Sequence, residues 1–401
     1  MYKRVSAIEV FLWGRHVGTI APEFGAYCQF QYDPQFLKSA IEISPLKLPL
    51  KSSIYRTSLM DLPSGTFMGL PGVFADSLPD SFGNAIIDRW MESEGVPKTS
   101  ITALDRLAYV GSRAMGALTY EPKRGPYSGD PSALEMRRLV ETALASCNER
   151  TFGLSGNEAL REILKVGTSA GGAQAKAIVG WNRKTDEFIT GGGDLPDGFE
   201  HWLIKFSPRG CEDAGEREYE NYLKAVKCGI QMSECRLYEL DGIKHFMTKR
   251  FDREANRRVH VQTLCALQHL PASAPRELRT YEILLTTACE LGLDYAAREQ
   301  IFRRMVFNVY NREMDDHTKN FSFLLRENGA WELAPAYDLT GYHVSVDDPA
   351  MFDFQNQHAL SVNGRFSSIR DSDLLAVAER FGIGTAKRIL LEIKDVFQSA
   401  Y

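Results

Sequence analysis

The sequence has few of the features that mark secreted, membrane or zinc-scaffolded proteins. Its seven cysteines are odd in number, scattered and without a C-x-x-C pair, so neither a disulfide framework nor a zinc site is indicated. There is no run of about 18 apolar residues, and the apolar stretch near the N-terminus is interrupted by Glu9 and Arg15, which argues against a membrane span or a signal peptide. We therefore expect reduced thiols and a cytoplasmic protein that does not bind membranes.

The chain also lacks the excess of positive charge that is typical of nucleic-acid-binding proteins. Its formal net charge is -5 at pH 7, so any DNA contact is expected to be indirect, through a partner protein. What is present is ordinary for a globular protein: 401 residues, of which 44% are hydrophobic and 25% charged. This length is sufficient for a large core and two or three domains.

The first part of the sequence predicts a small sheet followed by helices. Apolar residues alternate from Val5 to Phe30, which predicts a small antiparallel sheet. A helix is predicted from Asp80 or Ser81, either of which suits the N-cap, and a second from about Thr102 to Val110. The polar stretch from Glu121 to Pro131 predicts a linker.

Glycine and β-forming residues dominate the next part. A loop of small residues, Ser169-Ala170-Gly171-Gly172-Ala173, precedes a predicted strand from Ala177 to Trp181. A further strand is predicted from Trp202 to Phe206, and a helix from Glu216 to Gly229 with Tyr219, Tyr222, Leu223 and Val226 on its apolar face. From Gln262 onward the chain is predicted to be mainly helical.

Three polar residues between Phe307 and Thr340 have the spacing of a phosphotransferase site. Asp315 and Asn320 lie five positions apart in Asp315-Asp316-His317-Thr318-Lys319-Asn320, and an acid followed by an amide at this distance supplies a catalytic base and a magnesium ligand. Asp338 follows an apolar run and is a further candidate ligand, because Mg²⁺ prefers hard oxygen atoms.

The upstream sequence contains candidates for the other needs of phosphoryl transfer. The small-residue loop allows backbone N–H groups to approach phosphate oxygens. Lys205 in an apolar strand is predicted to contact the phosphates, and Glu218 on the next helix to hold that lysine. Lys319 either stabilises charge on the transferred group or balances the local acids.

Each of these residues also has a purely structural interpretation. The glycine loop could be only a tight turn, Lys205 an edge-strand lysine that blocks aggregation, Glu218 a solvated charge, and the Asp-Asp-His run a turn. His317 is expected to be a hydrogen-bonding support of the loop. A metallohydrolase built on Asp315, Asp316 and His317 is less favoured, since the other histidines show no H-x-x-x-H spacing.

Over nearly its whole length the chain resembles the HipA-like serine/threonine kinases, the toxins of bacterial type II toxin–antitoxin pairs. The resemblance is carried by Ser77 to Gly83 in the N-terminal part, by the loop Ser169 to Lys176, by Ile204-Lys205-Phe206, by Arg250-Phe251-Asp252-Arg253, and by Asp315 to Asn320 with Asp338. It implies an α+β fold: a two-lobed protein-kinase-like fold with a β-rich N-lobe, a helical C-lobe and an additional N-terminal α+β subdomain. The corresponding domains are expected at 1–125, 126–255 and 256–401.

The resemblance further implies ATP and Mg²⁺ as cofactors and a role for each motif residue. Asp315 would be the catalytic base and Asn320 and Asp338 the metal ligands. The ATP-binding residues would be Ala170, Gly171, Gly172, Ala173, Lys205, Glu218, Phe251 and Lys319. Ser169, or Thr168 beside it, would be an autophosphorylation site that switches the kinase off, because a phosphate of about −1.5 to −2 charge in this loop repels ATP phosphates.

The resemblance implies partners as well: a protein substrate, such as an aminoacyl-tRNA synthetase, and a helix-turn-helix antitoxin that binds DNA. Two departures from the family pattern are Lys249, where an acid is common, and Gln262-Thr263, which replace a common acidic pair. Two other functions stay open: an inactive kinase fold that acts as an antitoxin-binding co-repressor, and a small-molecule phosphotransferase.

Overall fold

The computed structural model of the chain describes residues 2–60, 62, 65–79, 81–125, 134–146, 174–341 and 356–399. The chain divides into two compact units. The first comprises Met1–Glu216, Glu234–Val261 and Glu327–Gly329, and the second Arg217–Ser233, Gln262–Arg326 and Ala330–Tyr401. The domain boundaries expected after residues 125 and 255 stay predictions. Within the described ranges, no helix is both long and apolar enough to cross a membrane.

The first unit begins with a five-stranded antiparallel sheet of order β4-β3-β2-β1-β5. Its strands are β1 (Ile8–Leu12), β2 (Arg15–Pro22), β3 (Cys28–Tyr32), β4 (Tyr55–Arg56) and β5 (Leu118–Glu121). Ile8, Val10 and Leu12 are fully buried and alternate with more exposed neighbours, as a sheet with one covered face requires. The sheet predicted between Val5 and Phe30 is confirmed.

Short helices accompany this sheet. The α-helices are Gly72–Ala75, Ser81–Ser93, Ala103–Val110 and Met136–Ser146, and the 3-10 helices are Phe36–Ser39, Thr57–Leu59 and Lys98–Ser100. Both predicted helices are confirmed. The helix Ala103–Val110 starts with a capping box in which the Thr102 hydroxyl accepts from the Asp105 N–H and the Asp105 carboxylate accepts from the Thr102 N–H, each at 3.1 Å. Asp80 lies outside the described residues.

A second antiparallel sheet in this unit has the order β7-β6-β8-β10-β9. Its strands are β6 (Lys176–Asn182), β7 (Glu187–Thr190), β8 (Glu200–Lys205), β9 (Cys235–Leu240) and β10 (Ile243–Lys249). A short hairpin of β11 (Arg253–Glu254) and β12 (Arg257–Arg258) follows. Because β8 is the central strand, the interpretation of Lys205 as an edge-strand lysine is wrong.

The second unit is mainly helical, as predicted. Its α-helices are Leu264–Gln268, Tyr281–Glu290, Tyr295–Asn311, Asp371–Arg380 and Ala386–Gln398, and its 3-10 helices are Arg276–Leu278 and Thr318–Asn320. The strands β14 (Ser322–Leu325) and β15 (Trp331–Leu333) form an antiparallel hairpin. The strand β13 (His260–Thr263), which is next to β14 in the strand order, begins in the first unit and ends in the second. The helix Tyr295–Asn311 and the hairpin of β14 and β15 carry the segments that hold Asp315, Asn320 and Asp338.

The helix Ala214–Lys227 confirms the predicted element but not its predicted face. Leu223 and Val226 are 50% and 46% exposed, whereas Glu218 and Asn221 are 5% and 8% exposed. The predicted apolar face is therefore wrong for Leu223 and Val226, and the interpretation of Glu218 as a solvated charge is wrong as well. A buried carboxylate and amide break the usual rule that polar residues face solvent, and such exceptions concentrate at functional sites.

Candidate active site

The segment that contains Asp315 follows the helix Tyr295–Asn311. Arg312 ends that helix in a left-handed conformation, with φ of 54°, and turns the chain toward Asp315. The carbonyl oxygen of Asp315 accepts two hydrogen bonds at 2.8 Å, from the N–H of His317 and from Nδ2 of Asn320. The side chain of Asp315 is 52% exposed, so its carboxylate is accessible to a substrate while its backbone is fixed.

His317 stabilises this turn through its backbone carbonyl and not through a side-chain hydrogen bond to Asp315. Its carbonyl accepts from the N–H of Asn320 at 2.9 Å, and its Nε2 lies 3.7 Å from Oδ1 of Asp315, which is beyond a hydrogen bond. Across the described residues, no group of three or more His, Cys, Asp or Glu is placed to hold a metal ion. A histidine-containing metallohydrolase centre on Asp315, Asp316 and His317 therefore has no geometric support there.

Asp316, the neighbour of Asp315, is a buried structural residue. It is 1% exposed and accepts hydrogen bonds from the Tyr281 hydroxyl at 2.6 Å, from the N–H of Ala359 at 2.7 Å and from Nδ1 of His358 at 2.9 Å. One carboxylate thus joins the loop to the helix Tyr281–Glu290 and to the segment that begins at residue 356. Asp315 is half exposed and Asp316 is buried, a difference that the sequence of the two adjacent acids did not indicate.

Asn320 and Asp338 meet at a pocket in the second unit. The pocket is lined by Arg304, Asn308, Asp316, Asn320, Phe321, Ala336, Tyr337, Asp338 and Leu339. Asp338 has a φ of 58°, a left-handed conformation that is uncommon for a residue other than glycine and is often found at functional sites. Because Nδ2 of Asn320 is committed to Asp315, its Oδ1 is the atom that remains for a cation.

The chemistry of these donors fits magnesium. Mg²⁺ is usually bound in proteins through one or two carboxylate groups, with water and substrate phosphates completing its octahedral coordination. One carboxylate, one amide oxygen and an open pocket therefore match Mg²⁺ better than Zn²⁺, which takes histidine and cysteine. Asn320 and Asp338 are the residues that would hold it.

Three side chains that sequence reasoning did not single out hold the two candidate ligands in place. The Tyr337 hydroxyl donates to the carbonyl of Lys319 at 2.6 Å and lies 2.6 Å from the Ser322 hydroxyl. Nη2 of the buried Arg304 donates to the carbonyl of Ala334 at 2.6 Å. These contacts fix the two chain segments that line the pocket, and no sequence spacing signalled them.

Glu313 is the third missed residue, and it lies under the site. It is 1% exposed, and its Oε2 accepts from the N–H of Gly341 at 2.7 Å. Burial raises the pKa of Glu313 to about 8, and the nearby charges of Asp338, Asp316 and Asp315 add to this rise. The group is therefore largely protonated at neutral pH, and it anchors the chain three residues beyond Asp338.

In the first unit, Lys205 is buried at the end of the central strand β8. It is 7% exposed, its Nζ lies 5.8 Å from the centroid of the Phe246 ring, and its register partner on β6 is Lys176, which is 2% exposed. Partners in register face the same side of a sheet. Two lysines thus stand together where the predicted phosphate loop joins β6.

The segment Arg250-Phe251-Asp252-Arg253, which the family resemblance implies to be the hinge between the kinase lobes, contains a buried ion network. Asp252 is fully buried and accepts from Arg250 at 2.8 and 2.7 Å, from Arg253 at 2.6 Å and from the N–H of Gly116 at 2.8 Å. Burial alone would raise the pKa of Asp252, but the charges and hydrogen bonds of Arg250 and Arg253 hold it well below its usual range. The hinge is thereby tied to the loop before β5.

The two departures from the family pattern each have a local role. Nζ of Lys249 donates to Oε1 of Glu200 at 2.5 Å, so the unusual lysine has an acid opposite it. Thr263 caps the helix Leu264–Gln268 by accepting from the N–H of Ala266 at 3.1 Å, while Gln262 is fully buried. These positions contribute to structure here.

The remaining predicted residues are not placed together by the described geometry. Thr168, Ser169, Ala170, Gly171, Gly172 and Ala173 lie outside the described residues. Lys205 belongs to the first compact unit and Glu218 to the second, so their pairing stays a prediction. Lys319 is exposed next to Asn320, in keeping with either of its two interpretations.

Comparison with known proteins covers both halves of the chain. A family model described as the HipA-like C-terminal domain matches residues 168–401, and one described as the HipA N-terminal domain matches residues 8–121. The serine/threonine-protein kinase toxin HipA of Shewanella oneidensis is 25% identical over 363 residues, covering 82% of this chain and 74% of that protein.

A solved structure is similar over most of the chain. The complex of HipA and HipB of Shewanella oneidensis with its operator DNA covers 98% of this chain and 90% of that chain, at 18% sequence identity and a TM-score of 0.69. This similarity concerns the fold. The prediction of an α+β, kinase-like fold with an added N-terminal α+β part is confirmed.

Proposed function

Because this chain belongs to the HipA family, on the match of residues 168–401 to its C-terminal domain, we propose that it is a serine/threonine protein kinase and the toxin of a toxin–antitoxin pair. The observation that carries the proposal is the pocket at which Asn320 and Asp338 meet, with Asn320 bonded to the backbone of Asp315. A base and two hard oxygen donors, on two chain segments that meet at one pocket, are what phosphoryl transfer to a hydroxyl requires.

In the proposed reaction Asp315 accepts the proton of a serine or threonine hydroxyl as that oxygen attacks the γ-phosphate of ATP. Its exposed carboxylate and its fixed backbone suit this role, because transfer depends on positioning more than on covalent help. Magnesium bound by Asn320 and Asp338 would neutralise charge on the phosphates. Asp316 and Glu313 would hold the backbone around the site through their hydrogen bonds to Ala359 and Gly341.

The remaining ATP contacts are proposed from the family resemblance together with local structure. The backbone of Ala170, Gly171, Gly172 and Ala173 would cradle phosphate oxygens. Lys205 would contact the α- and β-phosphates, and its burial on a central strand supports a role that requires a fixed ammonium group. Glu218 would orient Lys205, Phe251 would contact the adenine, and Lys319 would stabilise the transferred phosphoryl group.

Regulation and partners are also proposed. Phosphorylation of Ser169, or of Thr168, would switch the kinase off by placing negative charge where ATP phosphates bind. The HipB antitoxin in the similar solved complex supports a helix-turn-helix antitoxin as partner, with DNA bound through it. The protein substrate, such as an aminoacyl-tRNA synthetase, is the part that rests on the resemblance alone.

The test compares acceptors for the γ-phosphate. Purified full-length protein is incubated with Mg²⁺ and γ-labelled ATP, either with a fractionated bacterial lysate from which small molecules have been removed or with the small-molecule fraction alone. A protein kinase is expected to place label on serine or threonine of proteins, and the Asp315→Asn variant is expected to place far less label there. Label only on small molecules would favour the phosphotransferase, and antitoxin binding without any transfer would favour the inactive co-repressor.

A further inference from the structure

Two arginines share one aromatic ring in the second unit, and the proposed reaction uses neither of them. The guanidinium carbon of Arg276 lies 4.2 Å from the centroid of the Phe366 ring, and that of Arg279 lies 5.7 Å from it. Cation–π contact fixes the planes of such groups without satisfying their N–H donors. Several donors of each fork therefore remain for another ligand.

Neither guanidinium is neutralised by a carboxylate among the described residues. Nη2 of Arg276 donates to the neutral Oε1 of Gln357 at 2.7 Å. Nε of Arg279 is buried without a hydrogen-bond partner, and burial together with the charge of Arg276 lowers the pKa of Arg279. Two cations held close together in this way repel each other unless an anion lies between them.

Acidic residues are present near the cluster, so a lack of acids does not explain why Arg276 and Arg279 have no carboxylate partner among the described residues. Arg380, nearby, is bonded to Glu282 at 2.7 Å, and Arg365, next to Phe366 in sequence, lies 3.4 Å from Asp373. Glu277, between the two arginines in sequence, is exposed and forms an ion pair with neither. In the part of the chain that the structure describes, the acids of these two ion pairs are bonded to other arginines, and none is bonded to Arg276 or Arg279.

The cluster is connected to the catalytic loop by two hydrogen bonds. The N–H of His358 donates to the carbonyl of Phe366 at 2.8 Å, and Nδ1 of the same residue lies 2.9 Å from Oδ2 of Asp316. Asp316 is the residue after the proposed base. On the other side, the carbonyl of Arg279 accepts from the N–H of Ser361 at 2.9 Å. The backbone at Phe366 and Arg279 is therefore linked by hydrogen bonds to the segment that contacts Asp316.

We propose that Arg276 and Arg279 form an anion-binding site for an acidic group of the protein substrate, a carboxylate or a phosphate that flanks the acceptor hydroxyl. This inference rests on the proposed kinase function, because the acceptor must lie at Asp315. Guanidinium forks bind carboxylate and phosphate with paired hydrogen bonds, so the pair selects negative charge. Substrates with an acidic residue near the acceptor are preferred over neutral ones.

Binding is tested without nucleotide, so that the result does not depend on catalysis. Three fluorescein-labelled peptides share one sequence around a serine and differ at the flanking positions, which carry glutamate, phosphoserine or glutamine. Fluorescence anisotropy with the full-length protein is expected to show at least tenfold tighter binding of an acidic peptide than of the glutamine peptide. If the phosphoserine peptide binds more tightly than the glutamate peptide, phosphate is the preferred group. If both acidic peptides bind equally, the site selects negative charge of either kind.

The double variant Arg276→Ala/Arg279→Ala is expected to lose this preference, so that its Kd for the acidic peptides is about tenfold higher than that of the wild type. Arg388→Ala is the matched control, because Arg388 is an exposed arginine that is bonded to Glu392 on its own helix at 2.7 Å. Replacement of both arginines by lysine retains charge and is expected to restore part of the preference. Equal binding of acidic and neutral peptides by the wild type would overturn the proposal.

A kinetic measurement separates this proposal from the proposed kinase function. With dephosphorylated casein as the acidic acceptor, the double alanine variant is expected to raise the KM for casein about tenfold and to leave kcat and the KM for ATP unchanged. If the wild type transfers no phosphate to any protein, the kinase function fails and the anisotropy still decides the anion site. Loss of binding to duplex DNA in the variant, with unchanged peptide binding, would assign the arginines to DNA and refute the substrate site.

Discussion

Nδ2 of Asn320 donates a hydrogen bond to the main-chain carbonyl of Asp315 at 2.8 Å. The contact ties the proposed metal ligand to the backbone of the proposed base, five positions earlier in the chain. It also sets the amide so that its oxygen, and not its nitrogen, is available to a cation. The D-x-x-x-x-N spacing is thus a closed turn that places two reactive groups relative to each other.

Two substitutions of Asn320 separate its hydrogen bond to Asp315 from its proposed role as a metal ligand. Asn320→Asp keeps an oxygen ligand but places a carboxylate against the Asp315 carbonyl, so kcat is expected to fall about 10–100-fold while Mg²⁺ still binds. Asn320→Ala removes both roles and should also raise the Mg²⁺ concentration that gives half-maximal activity. Titrating Mg²⁺ in the phosphoryl-transfer assay distinguishes the two variants. An Asn320→Asp enzyme with wild-type kcat would show that the hydrogen bond is dispensable.

The buried Asp316 is expected to matter more for folding than for chemistry. Asp316→Asn replaces one carboxylate oxygen by an NH2 group, so either Tyr281 and His358, which bond Oδ2, or Ala359, which bonds Oδ1, loses its acceptor. The free energy of unfolding should therefore fall by about 1.5–3 kcal/mol. Urea denaturation measures this change. Asp294→Asn is a suitable control, since it keeps an acceptor for the N–H of Ala297 at the exposed start of a helix. Equal stability of the Asp316 variant and the wild type would contradict the structural role.

The buried Glu313 makes the free energy of unfolding depend on pH, and the direction of its pKa shift fixes the direction of that dependence. Its folded pKa of about 8 lies above its ordinary value of 4.5, so the folded chain retains a proton that the unfolded chain loses between these values. The contribution of neutral Glu313 is complete below about pH 4.5 and is lost as the pH rises through 8. Glu313→Gln lacks this titration.

Melting temperatures of Glu313→Gln and wild type, measured from pH 5 to pH 9 with a chelator to remove Mg²⁺, test this sign. The variant is expected to become more stable relative to the wild type as the pH rises. A difference in Tm that is independent of pH would indicate that Glu313 is ionised in the folded protein.

Regulation by the phosphate loop yields a prediction of its own. Ser169→Ala is expected to abolish self-labelling by γ-labelled ATP while transfer to other proteins persists or increases, because the inhibitory charge is no longer formed. Phosphopeptide mapping of the wild type checks the site. Undiminished self-labelling of the variant would move the acceptor to Thr168 or elsewhere, and Thr168→Ala would then be the next variant to measure.

Much of the fold was predictable from periodicity and end signals. The alternation along β1 and the Thr102–Asp105 capping box each follow from local sequence, and the structure confirms both elements. The face of the helix Ala214–Lys227 was not predictable in this way. Periodicity favoured Leu223 and Val226 for the interior, whereas the buried face carries Glu218 and Asn221, because tertiary contacts and not the apolar periodicity decide which face of this helix is covered.

The candidate site was predictable only as a set of spacings. The spacing of Asp315 and Asn320 identified both residues as candidates. Nothing in the run Asp315-Asp316 indicated that the first carboxylate is half exposed, or that the second is buried and accepts from four hydrogen-bond donors. Glu313 and Arg304 were missed for the same reason. Their roles depend on burial and on contacts with Gly341 and Ala334, which are distant in sequence and are brought close only by tertiary folding.

In the proposed function, Asp315 is the base of a phosphoryl transfer to protein hydroxyls. The most direct measurement is the single-turnover rate of γ-phosphate transfer from ATP to protein by wild type and by Asp315→Asn, with Asp294→Asn as control and Mg²⁺ in excess. If Asp315 is the base, Asp315→Asn is expected to lower this rate about 10²–10⁴-fold, with ATP binding and the melting temperature unchanged. A rate within twofold of the wild type would contradict it.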